Sequence, residues 1–177
     1  MNQFSPFAIE ETEIIALQAT ADRSDWRLLR RLQLPKKFNE VRAGDVRRAL
    51  VLDVETTGLS LETDDVMQLA LLPFDYEVET GRILTVYKDD AFEAFREPAA
   101  PISEEAIIIT GITADMVAGA TIDAEAVAEI VEHADLVIAH NAKFDRPMVE
   151  KHWDCFATKP WACTLDGVDW LRQGYSS

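Results

Sequence analysis

The chain has 177 residues, of which 48% are hydrophobic, and its formal net charge is −15 at pH 7. This length allows one ordinary domain with an appendage, and the hydrophobic fraction can fill a core. No apolar run approaches the roughly 20 residues that span a bilayer, and the first residues lack the basic region of a secretion signal. The acidic charge argues against a surface that holds a phosphate backbone by charge alone. We therefore expect a soluble, cytoplasmic protein with no membrane contact.

The N-terminal part of the sequence predicts two amphipathic helices, over residues 10–21 and 25–34. Pro35 ends the second helix, and the polar segment after it, which contains a glycine and continues to residue 48, is interpreted as a linker. We predict two regions: a helical extension and linker over residues 1–47, and a main domain over residues 48–177.

The main domain begins with the stretch around which the rest is organised. Residues 49–54 are apolar or β-branched, which predicts a buried strand, and Gly58 allows a tight turn after it. Because side chains alternate across a strand, Asp53 and Glu55 point to the same face. Two carboxylates held this close repel each other unless a cation lies between them, and oxygen ligands suit Mg²⁺ or Mn²⁺. The alternative is a carboxylate pair at a solvated strand end, since surface carboxylates are common.

The next elements predict an antiparallel meander. Residues 66–74 and 83–87 have the composition of strands and are joined by short connections. Ser103 is a suitable N-cap for a short helix with an acidic first turn, and Gly111 is a suitable end for it.

The last third of the sequence alternates between strand and helix patterns. Asp123 is predicted to cap a helix, and residues 136–139 form a short apolar strand. Asn141 is predicted to cap the following helix, so that Asp145 lies near its start. A final helix is predicted over residues 166–171. Strand and helix alternation after a meander predicts an α/β fold with a mixed sheet flanked by helices.

Three segments, Asp53–Gly58, Pro101–Thr113 and His140–Asp145, occur in this order. Together they resemble the DEDD superfamily of 3′–5′ exonucleases, of the DEDDh type, which includes the proofreading epsilon subunit of bacterial DNA polymerase III. The resemblance extends from about residue 48 to the C-terminus. It implies a ribonuclease H-like fold with a mixed central sheet flanked by helices, and two-metal hydrolysis that removes nucleotides from DNA 3′ ends.

The resemblance also implies the metal ligands. Asp53 would bridge two Mg²⁺ or Mn²⁺ ions, Glu55 would bind one of them, and Asp145 would complete the coordination. One ion would activate a water molecule as the nucleophile, and the other would stabilise the departing 3′ oxygen.

Four further residues are implied in substrate binding. Thr56 and Thr57 would lie against the terminal nucleotide, and Glu105 would contact it from the short helix. Thr110 stands where many relatives carry histidine. The implied partners are the 3′ end of single-stranded DNA and a DNA polymerase, in replication or repair, while RNA remains an alternative substrate because nothing recognisable in the sequence contacts a 2′-hydroxyl.

The family's third motif is missing after Asp145. This motif, a histidine followed five positions later by aspartate, supplies the general base and a fourth carboxylate. His140 has this spacing from Asp145, but it belongs to the second motif, where a structural role is expected. We therefore expect a chain shortened before the third motif, with weak or no activity, and with a bare sheet face through which it forms oligomers. The alternative function is a non-catalytic nucleic-acid-binding or interaction module with a degenerate exonuclease fold.

Overall fold

The computed structural model describes residues 35, 37–40 and 44–175. The two helices predicted at residues 10–21 and 25–34 lie outside the described residues. The described residues all belong to one compact unit, which begins at residue 35. Within this part of the chain, no helix is long and apolar enough to cross a membrane. The predicted domain boundary stays a prediction.

A six-stranded mixed sheet forms the centre of this unit. Its strands are β1 (Val46–Thr56), β2 (Val66–Glu77), β3 (Ile83–Val86), β4 (Phe92–Phe95), β5 (Leu136–Ala139) and β6 (Trp161–Cys163). The order across the sheet is β3-β2-β1-β5-β6, and β4 also pairs with β2. Strand β2 is antiparallel to β1, β3 and β4, whereas β5 is parallel to β1 and β6. The predicted meander and the mixed α/β sheet are thus confirmed.

The described residues also form five α-helices and two short 3-10 helices, Lys88–Asp90 and Asp154–Phe156; four of the α-helices precede β6 and the fifth follows it. The α-helices are α1 (Glu104–Thr110), α2 (Ala114–Val117), α3 (Ala124–Glu132), α4 (Ala142–Glu150) and α5 (Thr164–Gly167). The predicted caps of α1 and α3 are confirmed, because the Ser103 hydroxyl accepts the N–H of Ala106 and the Asp123 carboxylate accepts the N–H of Glu125. Gly111 ends α1 with a φ of 73°, which a residue with a Cβ rarely adopts. Asn141 precedes α4 as predicted, but its side chain makes no capping hydrogen bond.

The structure differs from the predicted elements at three places. Strand β1 begins at Val46, inside the segment interpreted as a linker. Strand β4 and the one-turn helix α2 have no strong sequence pattern, because each contains only four residues. The helix predicted at 166–171 is wrong: α5 stops at Gly167, Val168 is extended, and the Asp169 side chain accepts the N–H of Arg172 in a turn.

The largest core cluster lies on one face of the sheet, and a smaller one around Ala49, Phe74 and Val86 lies on the other. Residues from β1, β5, α3 and α4 form the largest buried cluster, which includes Leu50, Leu52, Val54, Val127, Val131, Val137, Met148, Val149 and Phe156. On the opposite face of β1, Val51 is 43% exposed although β1 is the middle strand of the sheet. Asp53 and Glu55 continue this second face, because side chains alternate along the strand. The two carboxylates therefore stand on the open side of the sheet.

Candidate active site

The end of β1 presents Asp53 and Glu55 on the same open face, as the strand period predicts. The Asp53 side chain is exposed and that of Glu55 is half-buried. Partial desolvation raises the pKa of both carboxyls, and the negative charge of Asp53 raises the pKa of Glu55 further. The register of β1 on β2 shifts directly after Glu55, so the chain leaves the ladder at this point. Both carboxyls are therefore harder to ionise than a carboxyl in water.

Asp145 approaches the same strand end from α4. Because β5 runs parallel to β1, the helix that follows β5 begins beside the end of β1. The Asp145 side chain lies in the first turn of α4 and the residue is only 6% exposed. Burial, and then the negative charge of Asp53, raise the pKa of Asp145 to about 6, although backbone hydrogen bonds, including one from Val54, oppose this shift. The charge of Asp53 thus acts on both Glu55 and Asp145.

These carboxylates fit a hard divalent cation in donor type and in charge. Among the described residues, no lysine or arginine forms an ion pair with any of the three. Their mutual repulsion is therefore not compensated by the protein, and oxygen donors of this kind suit Mg²⁺ or Mn²⁺. In the part of the chain that the structure describes, no three His, Cys, Asp or Glu side chains are close enough together to hold a metal ion. The structure thus brings three carboxylates to one strand end without arranging them as a complete coordination shell.

His140 lies at the end of β5, beside Asp53. Its positive form lowers the pKa of Asp53 and so partly opposes the desolvation of that carboxyl. The His140 Nδ1 atom is 2.9 Å from the Thr164 hydroxyl, and the ring lies 6.2 Å from the Trp170 ring. The expected structural role is compatible with these contacts, but the sequence analysis did not place this residue next to Asp53. The sequence gives only part of this position: alternation along β5 puts His140 on the same face as Ile138, but the pairing of Ile138 with Val51 is seen only in the structure.

A cleft between the end of β1 and α1 brings together four of the predicted site residues. Its lining consists of Glu55, Thr56, Gly58, Leu59, Ser103, Glu105, Ala106, Ile109 and Thr110. The N–H of Ser103 donates to the Thr57 carbonyl at 3.1 Å, and this bond holds α1 against the turn that follows β1. Leu59 and Ile109 are 83% and 74% exposed at this cleft, although no sequence motif pointed to them. The cleft therefore combines acidic groups with bare apolar side chains.

The threonine hydroxyls after β1 are used within the turn. Thr57 is fully buried, and its hydroxyl donates to Asp64 at 2.9 Å and accepts the N–H of Asp65 at 3.0 Å. The Thr56 hydroxyl donates to the carbonyl of Gly58 at 2.7 Å. The predicted contact between a nucleotide and the Thr57 side chain is not available in this structure. What the turn presents to the cleft is its main chain and the surface of Thr56.

The Thr110 hydroxyl forms its hydrogen bonds with the main chain at the end of α1. It donates to the carbonyl of Ala106 at 2.7 Å and accepts the N–H of Ile112 at 3.1 Å. The side chain lines the cleft with its remaining surface. Thr110 therefore stabilises the end of α1 and offers the cleft no unpaired donor.

Comparison with known proteins gives a family and a fold. The family model RNase_T, described as exonuclease, matches residues 50–175. The chain is 40% identical over 98 residues to DNA polymerase III PolC-type of Bacillus subtilis (strain 168), a match that covers 54% of this chain and 6% of that protein. It is 37% identical over 106 residues to the PolC-type polymerase of Listeria innocua serovar 6a, which covers 59% of this chain and 7% of that protein. The chain thus spans less than a tenth of the length of these relatives.

A similar fold occurs in a solved structure, the metal-free form of an E. coli ExoI–ssDNA complex, with a TM-score of 0.50. The identity is 19%, and the match covers 68% of this chain and 28% of that chain. This likeness supports the ribonuclease H-like arrangement expected from the sequence, and it concerns the fold alone.

The substitution Asp145→Asn should stabilise the metal-free protein at pH 7 by about 1–3 kcal/mol. The folded chain raises the pKa of Asp145 to about 6, from an ordinary value of 3.8. Between these two values the folded state binds more protons than the unfolded state, so the stability of the unchanged protein falls as the pH rises through this window. Urea unfolding in the presence of a chelator, at pH 4.5 and pH 7.5, measures the difference.

The control for this measurement is Asp115→Asn, which changes an exposed carboxyl in α2. Its effect on the free energy of unfolding should be small at both pH values. A stabilisation by Asp145→Asn that is the same at pH 4.5 and pH 7.5 would contradict the repulsion described above.

Proposed function

This chain belongs to the exonuclease family, and we propose that it is a metal-dependent 3′–5′ exonuclease that removes nucleotides from DNA 3′ ends. The observation that carries this proposal is the convergence of Asp53, Glu55 and Asp145 at the end of β1, without a compensating ion pair among the described residues. Uncompensated carboxylates lower stability, and a cation-dependent reaction gives them a use.

The chain's own groups have distinct tasks in this proposal. Asp53, Glu55 and Asp145 would hold Mg²⁺ or Mn²⁺, two ions in the family mechanism, and the bound ions would supply an activated water molecule and charge stabilisation for the departing 3′ oxygen. Glu105 faces the cleft from the first turn of α1 and contacts the terminal nucleotide. The turn at Thr56 and Thr57 contributes its main chain to the same contact.

The proposed substrate is the 3′ end of single-stranded DNA. The E. coli ExoI structure with a similar fold contains single-stranded DNA. In this chain, Leu59 and Ile109 give the cleft apolar surface against which bases can pack. The net charge of −15 makes binding along a long stretch of DNA phosphate backbone unfavourable, so the proposed contact is confined to the strand end. RNA in place of DNA is an outcome that the assay below distinguishes.

We further infer that a DNA polymerase is the partner of this chain. The matching regions of the relatives occupy 6% and 7% of proteins named DNA polymerase III PolC-type. An exonuclease working with a polymerase would remove misincorporated nucleotides during DNA replication. The cytoplasmic location expected from the sequence stays a prediction.

With Mg²⁺ or Mn²⁺, 5′-labelled single-stranded DNA should shorten from its 3′ end, and Asp53→Ala should lower the rate by at least about 100-fold, because a proposed metal ligand is lost. A gel assay with and without a chelator measures both effects, and a labelled RNA of the same sequence tests the sugar preference. The exposed Glu132→Gln on α3 is the control for loss of a negative charge.

The outcomes of this assay separate the two candidate functions. A ladder that depends on metal and on Asp53 supports the exonuclease. Metal-dependent binding of the strand without shortening would favour the non-catalytic binding module, for which the lack of a complete coordination shell among the described residues is the structural argument. If the Asp53→Ala variant still shortens the DNA strand, the activity does not depend on this site and the proposed site is rejected.

Glu105→Gln should lower kcat/KM by about 10- to 100-fold, because a hydrogen bond to a charged group is typically worth 1.5–3 kcal/mol. The neighbouring Glu104→Gln is a matched control, since both carboxyls are exposed in the first turn of α1 but Glu105 alone lines the cleft. Steady-state kinetics on a short oligonucleotide measure the difference. Equal losses in both variants would point to a helix-dipole effect on α1 and not to a substrate contact.

Self-association through the open sheet face is also proposed. Val51, in the middle of the sheet, is 43% exposed, and exposed apolar surface favours association. Light scattering should then give a mass above that of the monomer, and Val51→Lys should reduce it. A monomer at all concentrations would reject this proposal.

A further inference from the structure

The Asp65 carboxylate is the most heavily bonded acidic side chain near the site, although it is not one of the proposed metal ligands. The residue is only 8% exposed. Its Oδ1 atom accepts Arg96 Nη1 at 2.7 Å and the N–H of Val66 at 2.9 Å, and lies 2.6 Å from His152 Nε2. Its Oδ2 atom accepts the N–H of Ala99 at 2.7 Å. The carboxylate is thereby tied to two other segments of the chain, residues 96–99 after β4 and His152 after α4.

Each of these segments leads to a different proposed site residue. His152 follows α4, the helix that carries Asp145, by two residues. Ala99 lies in the connection to α1, which carries Glu105. Just before β2, the main-chain carbonyl of Asp65 accepts the N–H of Thr57 at 2.9 Å, and the N–H of Asp65 donates to the Thr57 hydroxyl at 3.0 Å. Thr57 is two residues from Glu55, so Asp65 is connected, through its side chain and its main chain, to the segments that carry Asp145, Glu105 and Glu55.

A second bond from the end of α4 reinforces this connection. The Lys151 ammonium donates to the carbonyl of Asp64 at 3.3 Å, and the Asp64 carboxylate accepts the hydroxyl of Thr57 and the N–H of Ser60. A Cβ at Gly58 would lie 2.6 Å from the Asp64 carboxylate, so the turn packs closely on this side chain. The end of α4 and the turn after β1 are therefore fixed to each other through Asp64 and Asp65.

The His152 ring acts in this network as a neutral donor. Burial, and then the nearby Arg96 charge, lower the pKa of His152, so the ring is uncharged at pH 7. At 2.6 Å from a carboxylate oxygen, Nε2 must carry the proton. Burial alone would raise the pKa of Asp65, but the Ala99 N–H and Arg96 outweigh it and keep the group ionised.

We propose that Asp65, held by Arg96 and His152, is a positioning residue that sets the distance of Asp145 on α4 from the carboxylates of β1 and aligns α1 with them. This inference rests on the proposed exonuclease function, and it assigns no contact between Asp65 and the substrate. Its basis is the set of hydrogen bonds that join the three elements at one residue: the Asp65 carboxylate binds His152 and the Ala99 amide, and the Asp65 main chain binds Thr57.

Four variants test the proposal with the oligonucleotide assay. Asp65→Asn and His152→Ala should each lower kcat by about 10- to 100-fold, because a misplacement of about 1 Å remote from the reacting atoms can cost 100-fold. His152→Gln keeps a neutral N–H donor near the Nε2 position and should restore most of the rate. The double variant Asp65→Asn/His152→Ala should lose no more than the worse single variant, since both changes break one unit.

Asp75→Asn is the matched control for loss of stability. Asp75 is a half-buried carboxylate that accepts Arg48 at 2.9 Å and the Tyr87 hydroxyl at 2.6 Å. It lies on β2 five residues beyond Ala70, the partner of Asp53, which is about 17 Å along the strand. Asp75→Asn should lower the melting temperature without lowering kcat, when all variants are assayed well below their melting temperatures. An equal loss of kcat in Asp75→Asn, or an unchanged kcat in Asp65→Asn, overturns the proposal.

Amide hydrogen exchange gives a second test of the proposal that does not depend on nuclease activity. In Asp65→Asn, the amides of Thr57, Ala99 and Ser103 should exchange faster, while the Tyr87 amide, which donates to Pro73 at the far end of β2, should not change. If the unchanged protein shows no nuclease activity, the proposed function fails, and the exchange result still decides the role of Asp65. Unaltered exchange at Thr57 and Ser103 overturns the proposal in either case.

Discussion

The alternation of side chains along β1 is the constraint on which the rest of the structure depends. One set of residues, Leu50, Leu52 and Val54, is buried in the main core, and the other set ends in Asp53 and Glu55 on the open face. A shift of β1 by one residue would exchange the two sets, placing carboxylates in the core. The stability of the sheet and the position of the acidic pair are thus two results of a single register, and the burial of three aliphatic side chains protects that register.

The site contains carboxylates that repel one another and, close to them, carboxylates that are held by hydrogen bonds. Asp53 raises the pKa values of Glu55 and Asp145, so the ionised carboxylates oppose folding in the absence of a cation. Close to them, Asp64 and Asp65 are surrounded by donors, and the pKa of Asp65 is lowered as a result. Chemically identical groups therefore have opposite effects on stability, according to whether the protein supplies donors. Asp64 and Asp65, whose carboxylates accept several hydrogen bonds, hold the backbone around Asp53, Glu55 and Asp145, whose charges are not compensated.

The sequence predicts well those features that depend on local patterns. The strand period places Asp53 and Glu55 on one face, and the caps at Ser103 and Asp123 depend on residues only three positions away. The role of Asp65 could not be predicted, because its partners Arg96 and His152 are 31 and 87 positions distant and no periodic pattern connects them. Strand β4 is defined by its pairing with β2, and the apolar cleft residues become visible only when α1 is placed beside β1.

The wide sequence separation of the parallel pair β1 and β5 has a consequence for the order of folding. Strands β1, β2 and β3 are neighbours in sequence and can pair as soon as they leave the ribosome, whereas Ala49 must find Leu136 across 87 residues. Closing a loop of this length is slow in comparison with a hairpin. Asp53 and Glu55 are therefore in place early in synthesis, and Asp145 joins them only after α4 has been made. During synthesis the chain therefore presents the acidic hairpin of β1 and β2 before the third carboxylate is available.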